Sequence, residues 1–250
     1  MHYFLVKVLL YWIVGFVLAL YLHEFGHLLV GLFHGWKFFM LTVGPVKLYR
    51  EKLQDPIKLG FEPSAINWFG MGATLPPRQD PENLRVFGKI LLGGPLSSIL
   101  FGLLFLAGAL CFQSFLLCML SLSSLAIGIV NYIPMSIRTG FYFNDGTRFR
   151  RIRDGGAPAR EEAELMNLIE KEIQFGEDVP IGEEECEALL ASRDEIYRYF
   201  GYYVLLQSAR KHDPDSVARY LAQAEALSRR IPASVSKQFP LEQADARESL

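Results

Sequence analysis

Apolar residues run almost unbroken from Tyr3 to Phe33, and between Lys7 and Lys37 the only strongly ionisable side chains are His23, Glu24, His27 and His34. A membrane-crossing helix needs about 20 apolar residues, so the pattern predicts a first span over about 3–33. Gly26, Gly31 and Gly35 suit close helix–helix approach there. A second block, Ile90 to Ile137, carries no Asp, Glu, Lys, Arg or His. It predicts spans over about 86–112 and 115–134 that turn at Gln113-Ser114, with Gly93-Gly94-Pro95 interrupting the first. Between the blocks, Phe38–Tyr49 with a break at Gly44-Pro45, then Ile57–Phe61 and Ile66–Leu75 separated by Glu62-Pro63-Ser64, read as short strands. They predict a small β segment over about 38–77 at the membrane surface, although periodicity alone also allows an amphipathic connector.

From Thr147 the chain is densely charged and its apolar positions take helical spacing, as at Leu165, Leu168, Ile169 and Ile173. Asp194 is placed to cap a helix running to about Lys211, and Asp213-Pro214 to open another that ends before Pro232. The pair is predicted to be antiparallel, faintly like a single tetratricopeptide unit, with a polar, frayed end beyond Pro232. The fold class expected is a mainly α membrane protein: a three-helix membrane core with a surface β segment over 1–146, and a soluble α-helical tail over 147–250.

Composition agrees with a chain divided between membrane and water: 51% hydrophobic residues and a mean hydropathy of +0.19 stand beside 21% charged residues. A net charge of −2 gives no reason to expect a nucleic-acid partner. Cys111, Cys118 and Cys186 are too scattered for a disulfide framework or a thiolate metal site. The first apolar stretch is too long for a signal peptide and lacks a persuasive cleavage site, so it is read as a retained helix. Lys and Arg crowd the 37–89 connector and the start of the tail, whereas the Gln113-Ser114 turn has none. The positive-inside rule then places connector and tail in the cytosol, with Lys7 as one vote against.

Candidate chemistry centres on His23-Glu24-Phe25-Gly26-His27, an H-E-x-x-H run. On a helix, residues four apart share a face, so His23 and His27 can grip one zinc ion with Glu24 beside them as general base. A buried structural histidine pair would have no need of the Glu, and an ionisable residue inside a membrane helix is costly without a function. A third ligand is needed, since a catalytic zinc usually takes three from the protein. His34 is one residue out of register for the third histidine of a metzincin, which would fall on Phe33, and reads as interfacial. Downstream stand Asn131-Tyr132-Ile133-Pro134 and Asn144-Asp145-Gly146. Asp145 admits two roles, third ligand or N-cap of a helix beginning near Thr147.

In combination, these parts resemble the site-2 proteases, intramembrane zinc metalloproteases that pair H-E-x-x-H with an N-x-x-P and D-G motif two helices later. Between these motifs the family has a surface β segment and a helix opening with G-P. The resemblance spans His23 to Gly146, about half the chain. It implies His23, His27 and Asp145 as ligands of one zinc ion per chain, Glu24 as base, and Asn131 and Pro134 as shaping the substrate site. This chain departs from the family in three ways. Met135–Asn144 intervenes before D-G, Ser98 stands where an Asn is common, and no PDZ-like or CBS-like domain is evident. The extra residues are expected to form a re-entrant or surface loop folding back over the site, with Gly146 permitting a tight turn.

The function implied is endopeptidase cleavage of a transmembrane or membrane-proximal segment of another protein. The partners expected are that substrate, the bilayer, and a cytosolic regulator on the tail. The location expected is a bacterial inner membrane, multi-pass, with a cytosolic C-terminus. An exposed strand edge beside the site would hold substrate by main-chain hydrogen bonds. Two alternatives remain open: a non-catalytic membrane scaffold or regulator with a degenerate site, and a membrane H-E-x-x-H peptidase with a Glu third ligand. The uncharged block offers no such Glu.

Overall fold

A computed structural model of the 250-residue chain describes residues 2–63, 68–136, 138–139, 141–175 and 179–241. The chain forms two compact units, 1–139 with 143–153, and 140–142 with 154–250. The boundary thus falls after Arg153 and not at Thr147, because the helix that begins at Asp145 belongs with the first unit.

Three helices dominate the first unit: α1 (His2–Phe33), α2 (Asn83–Phe112) and α3 (Phe115–Tyr132). Each is long and apolar enough to cross a membrane. They pack on one another through small residues. A Cβ on Gly26 would lie 2.3 Å from the Gly93 carbonyl oxygen, so α1 and α2 touch backbone to backbone. Ser97 Oγ donates to Leu22 O (2.8 Å) and Ser121 Oγ to Gly102 O (2.9 Å), giving their hydroxyls the partners that an apolar setting demands. The interruption expected at Gly93-Gly94-Pro95 does not occur: α2 runs straight through with Pro95 inside it. Between α2 and α3, Gln113 turns left-handed (φ 49°) and Ser114 accepts a cap from Leu117 N–H. Gly35 lies past the end of α1 with φ 80°, so it ends the helix and does not serve helix packing.

The connector is a four-stranded antiparallel sheet of β1 (Lys37–Val43), β2 (Val46–Tyr49), β3 (Lys58–Phe61) and β4 (Met71–Leu75), ordered β3-β2-β1-β4. The β1–β2 hairpin turns at Gly44-Pro45 with Gly44 at φ 62°. Ile66, the expected start of the last strand, and Ser64 lie outside the described residues. β1 and β4 both pack on α1, and Val43 joins Ala19, Leu20 and Ile127 in one buried cluster. After α3 come two-residue strands β5 (Arg138–Thr139) and β6 (Tyr142–Phe143), and then α4 (Asp145–Asp154).

The second unit is helical: α5 (Gly156–Phe175), a short α6 (Glu187–Leu190), α7 (Glu195–His212), α8 (Val217–Ser228) and α9 (Ala233–Gln238). Leu165 and Leu168 are buried, as their spacing predicts. Asp194 caps α7 through Ile196 N–H (2.9 Å), and Pro214 opens the turn into α8. Residues just past Pro232 are ordered, contrary to the sequence reading. α9 buries Val235, and the Phe239 ring stacks on Phe141, Phe200 and Tyr203 at 5.1–5.3 Å. Tyr199 Oη also donates to Phe239 O (2.5 Å). Residues 242–250 lie outside the described residues.

Candidate metal centre

His23, Glu24 and His27 sit in the last third of α1 and are 4%, 7% and 7% exposed. Helical spacing aims both histidines at α2, where Ile90, Gly94 and Ser98 recur every four residues on one face. His27 Nδ1 lies 2.7 Å from Ile90 O and 3.3 Å from Gly94 N, so two backbone groups of α2 hold that edge of the ring and leave Nε2 on the opposite side. His23 Nδ1 meets Ser98 Oγ at 3.0 Å. Each ring is therefore oriented through one nitrogen while Nε2 points into a shared space, as outer-shell partners do for metal-binding histidines. Gly94 makes room for this: a Cβ there would lie 2.3 Å from His27 Nε2. Gly94→Ala is expected to displace the ring and weaken metal binding about 10- to 100-fold, read by metal titration, with helix content by circular dichroism unchanged.

Asp145, the first residue of α4, completes the cluster. Its Oδ2 lies 3.1 Å from His23 Nε2 and 3.3 Å from His27 Nε2, and the two Nε2 atoms are 3.3 Å apart. These three residues form a group that can hold a metal ion. The spacing also fits one: ligands about 2.0 Å from a tetrahedral zinc stand about 3.3 Å from each other. Burial alone would raise the Asp145 carboxyl, but the facing His27 and His23 hold it below the usual carboxylate range. The form this favours is the carboxylate, which is the form a metal ligand needs. The capping role that competes for Asp145 belongs to its neighbour, since Asn144 Oδ1 receives Thr147 N–H (3.3 Å).

Glu24 is adjacent but outside the donor cluster. The start of β4 packs against it: a Cβ on Gly72 would stand 3.0 Å from Glu24 Oε2, and Gly70, at φ 109°, leaves no room for a Cβ, which would stand 2.5 Å from Glu24 Oε1.

The other sequence candidates lie elsewhere or act otherwise. His34 contacts Val30 O (2.9 Å) and Lys89 Nζ (3.2 Å), away from the cluster. Asn131 Nδ2 donates to Ile127 O of its own helix (3.0 Å). Pro134 lines a cavity of about 220 Å³ with Leu92, Tyr132, Gly146 and Phe149. Within the inserted segment, Phe141 belongs to the second unit, where it is fully buried against Tyr197, Phe200 and Phe239. Burial pushes the Cys186 thiol up to about 12, which removes it as a nucleophile. Ser98 and the Ile90 carbonyl were missed from sequence, although their four-residue spacing with Gly94 was a usable signal.

Family models, curated proteins and solved structures yield no match to this chain.

Proposed function

We propose that this chain is an intramembrane zinc endopeptidase of the site-2 protease type. The observation that carries the reading is the cluster of His23, His27 and Asp145 donor atoms at 3.1–3.3 Å, with Glu24 beside it. Two histidines and a carboxylate suit zinc, and three protein donors leave a position open for chemistry. In that place a bound zinc supplies Lewis acidity, polarising a scissile carbonyl and lowering the pKa of water. Glu24 takes the proton from the attacking water and hands it to the leaving amine. Close packing against Gly70 and Gly72 fixes the carboxylate for both transfers. β4 is an edge strand in the sheet order, and it suits an extended substrate segment paired by main-chain hydrogen bonds.

Insertion in a bilayer is supported by the helix exteriors. Leu9, Leu10, Trp12, Leu100, Leu103, Leu104 and Leu110 are exposed, an apolar patch that water would penalise and lipid would not. The substrate is then a membrane-spanning or membrane-proximal segment of another protein, unwound locally so that its carbonyls are free. Arg148, Arg150, Arg151 and Arg153 of α4 favour a cytosolic face for the following helices, where they recruit a regulator. A bacterial inner membrane is the setting proposed.

Purified in detergent, the protein is expected to carry about one zinc per chain and to lose cleavage of a membrane-embedded reporter when the metal is chelated. Cleavage should return on adding zinc. Zinc with no cleavage of any single-pass reporter would favour the scaffold reading, and protein without zinc affinity would remove the metal centre altogether.

A further inference from the structure

Asp145 reaches the donor cluster despite the residues inserted between Pro134 and Asn144, and side chains on either side of it account for this. Asn144 is buried, 7% exposed, and spends its whole bonding capacity locally. Its amide donates to Val130 O and to Ile133 O, both at 2.8 Å. Its Oδ1 accepts Thr147 N–H (3.3 Å) and faces the Thr147 hydroxyl at 2.6 Å. The Thr147 hydroxyl accepts Met135 N–H (2.8 Å) and lies 2.7 Å from Met135 O, so its single proton serves that carbonyl or Asn144 Oδ1. Between them, Gly146 packs with no side chain to spare: a Cβ would stand 2.1 Å from Tyr132 O. Gly146 sits in helical backbone, so close approach, not a tight turn, is what demands glycine there.

We infer that Asn144 and Thr147 are positioning residues that staple the start of α4 to the end of α3. The staple closes the inserted loop at its base and delivers Asp145 to the metal site. The inference rests on the metal-site reading above. A cap of α4 alone would need only the Asn144 oxygen. The two amide donors instead satisfy Val130 O and Ile133 O at the end of α3, and with the Met135 contacts they span the insertion from 130–135 to 144–147.

The test uses the full-length protein in detergent with Co²⁺ alone as probe, read by affinity and by its visible absorption bands. Asn144→Asp keeps the shape and the capping oxygen but removes both amide donors. Thr147→Val keeps the volume and removes the hydroxyl, and Thr147→Ser restores it. Asn144→Asp and Thr147→Val are each expected to weaken Co²⁺ binding about 10- to 100-fold, the usual cost of losing an outer-shell partner, and to shift the bands. Thr147→Ser should bind as the wild type does. Because both side chains act on one segment, the double variant should lose less than the product of the single losses. Asp145→Ala separates the two readings. If it loses Co²⁺ while Asn144→Asp and Thr147→Val bind normally with unchanged bands, the staple is overturned and the metal site stands. If Asp145→Ala binds normally, the ligand assignment falls and the staple with it. Thr147→Val against Thr147→Ser decides the matter alone if Asn144→Asp fails to fold.

Discussion

Glu24→Gln is expected to lower cleavage of a membrane-embedded substrate about 100- to 10,000-fold, the usual cost of removing a general base, while leaving the metal content unchanged. The amide is isosteric with the carboxylate and fits the same space against Gly70 and Gly72, so the packing of β4 on α1 survives. What disappears is the capacity to take a proton from water. Glu24 is not among the donors that lie within 4.8 Å of one another, which is why the metal should stay. Turnover of the reporter with metal quantified in the same sample checks both halves. Near-wild-type turnover would remove Glu24 from the chemistry, and loss of the metal would make it a ligand.

The second large effect concerns the ligand brought from furthest along the chain. Asp145→Asn should cost at least the 10- to 100-fold in metal affinity that an outer-shell change costs, because it neutralises a donor 3.1–3.3 Å from both histidine nitrogens. Its effect on α4 should be small. Asn144 makes the cap, and an acidic residue in a first helical turn contributes only about 0.3–1 kcal/mol through the helix dipole. Calorimetric titration with zinc, beside a thermal melt of the metal-free protein, distinguishes the two. A lowered melting temperature with unchanged zinc affinity would assign Asp145 to the helix end and not to the metal.

Much of the fold was legible because its signals are local. An uncharged run of sufficient length is a helix whatever surrounds it, and Ser114 and Asp194 cap helices by contacts within their own first turns. The hairpin at Gly44-Pro45 is likewise a matter of adjacent residues. Misreadings arose where the deciding partner is distant. Pro95 lacks an N–H wherever it stands, yet α2 continues through it, packed against α1 and α3. The segment after Pro232 reads as polar, but Phe239 gains a place among aromatic rings from two other parts of the chain, Phe141 and helix α7.

The candidate site divides along the same line. His23 and His27 are one helical turn apart, so the sequence alone puts them on one face of α1 with Glu24 next to them, and proposes a metal. It could not choose between ligand and cap for Asp145, since both roles fit an Asp followed by Gly at the start of a helix. The tertiary structure brings Asp145 to the two histidines, closing a separation of 122 residues between His23 and Asp145. It also supplied the Ile90 carbonyl and the Ser98 hydroxyl that orient the rings. Helical periodicity propagates only through a continuous backbone, and so it fixes what neighbours along one element share. Which elements meet, and at which residue, depends on packing against partners elsewhere in the chain, here glycine surfaces that admit close approach and an asparagine that ties one helix end to another.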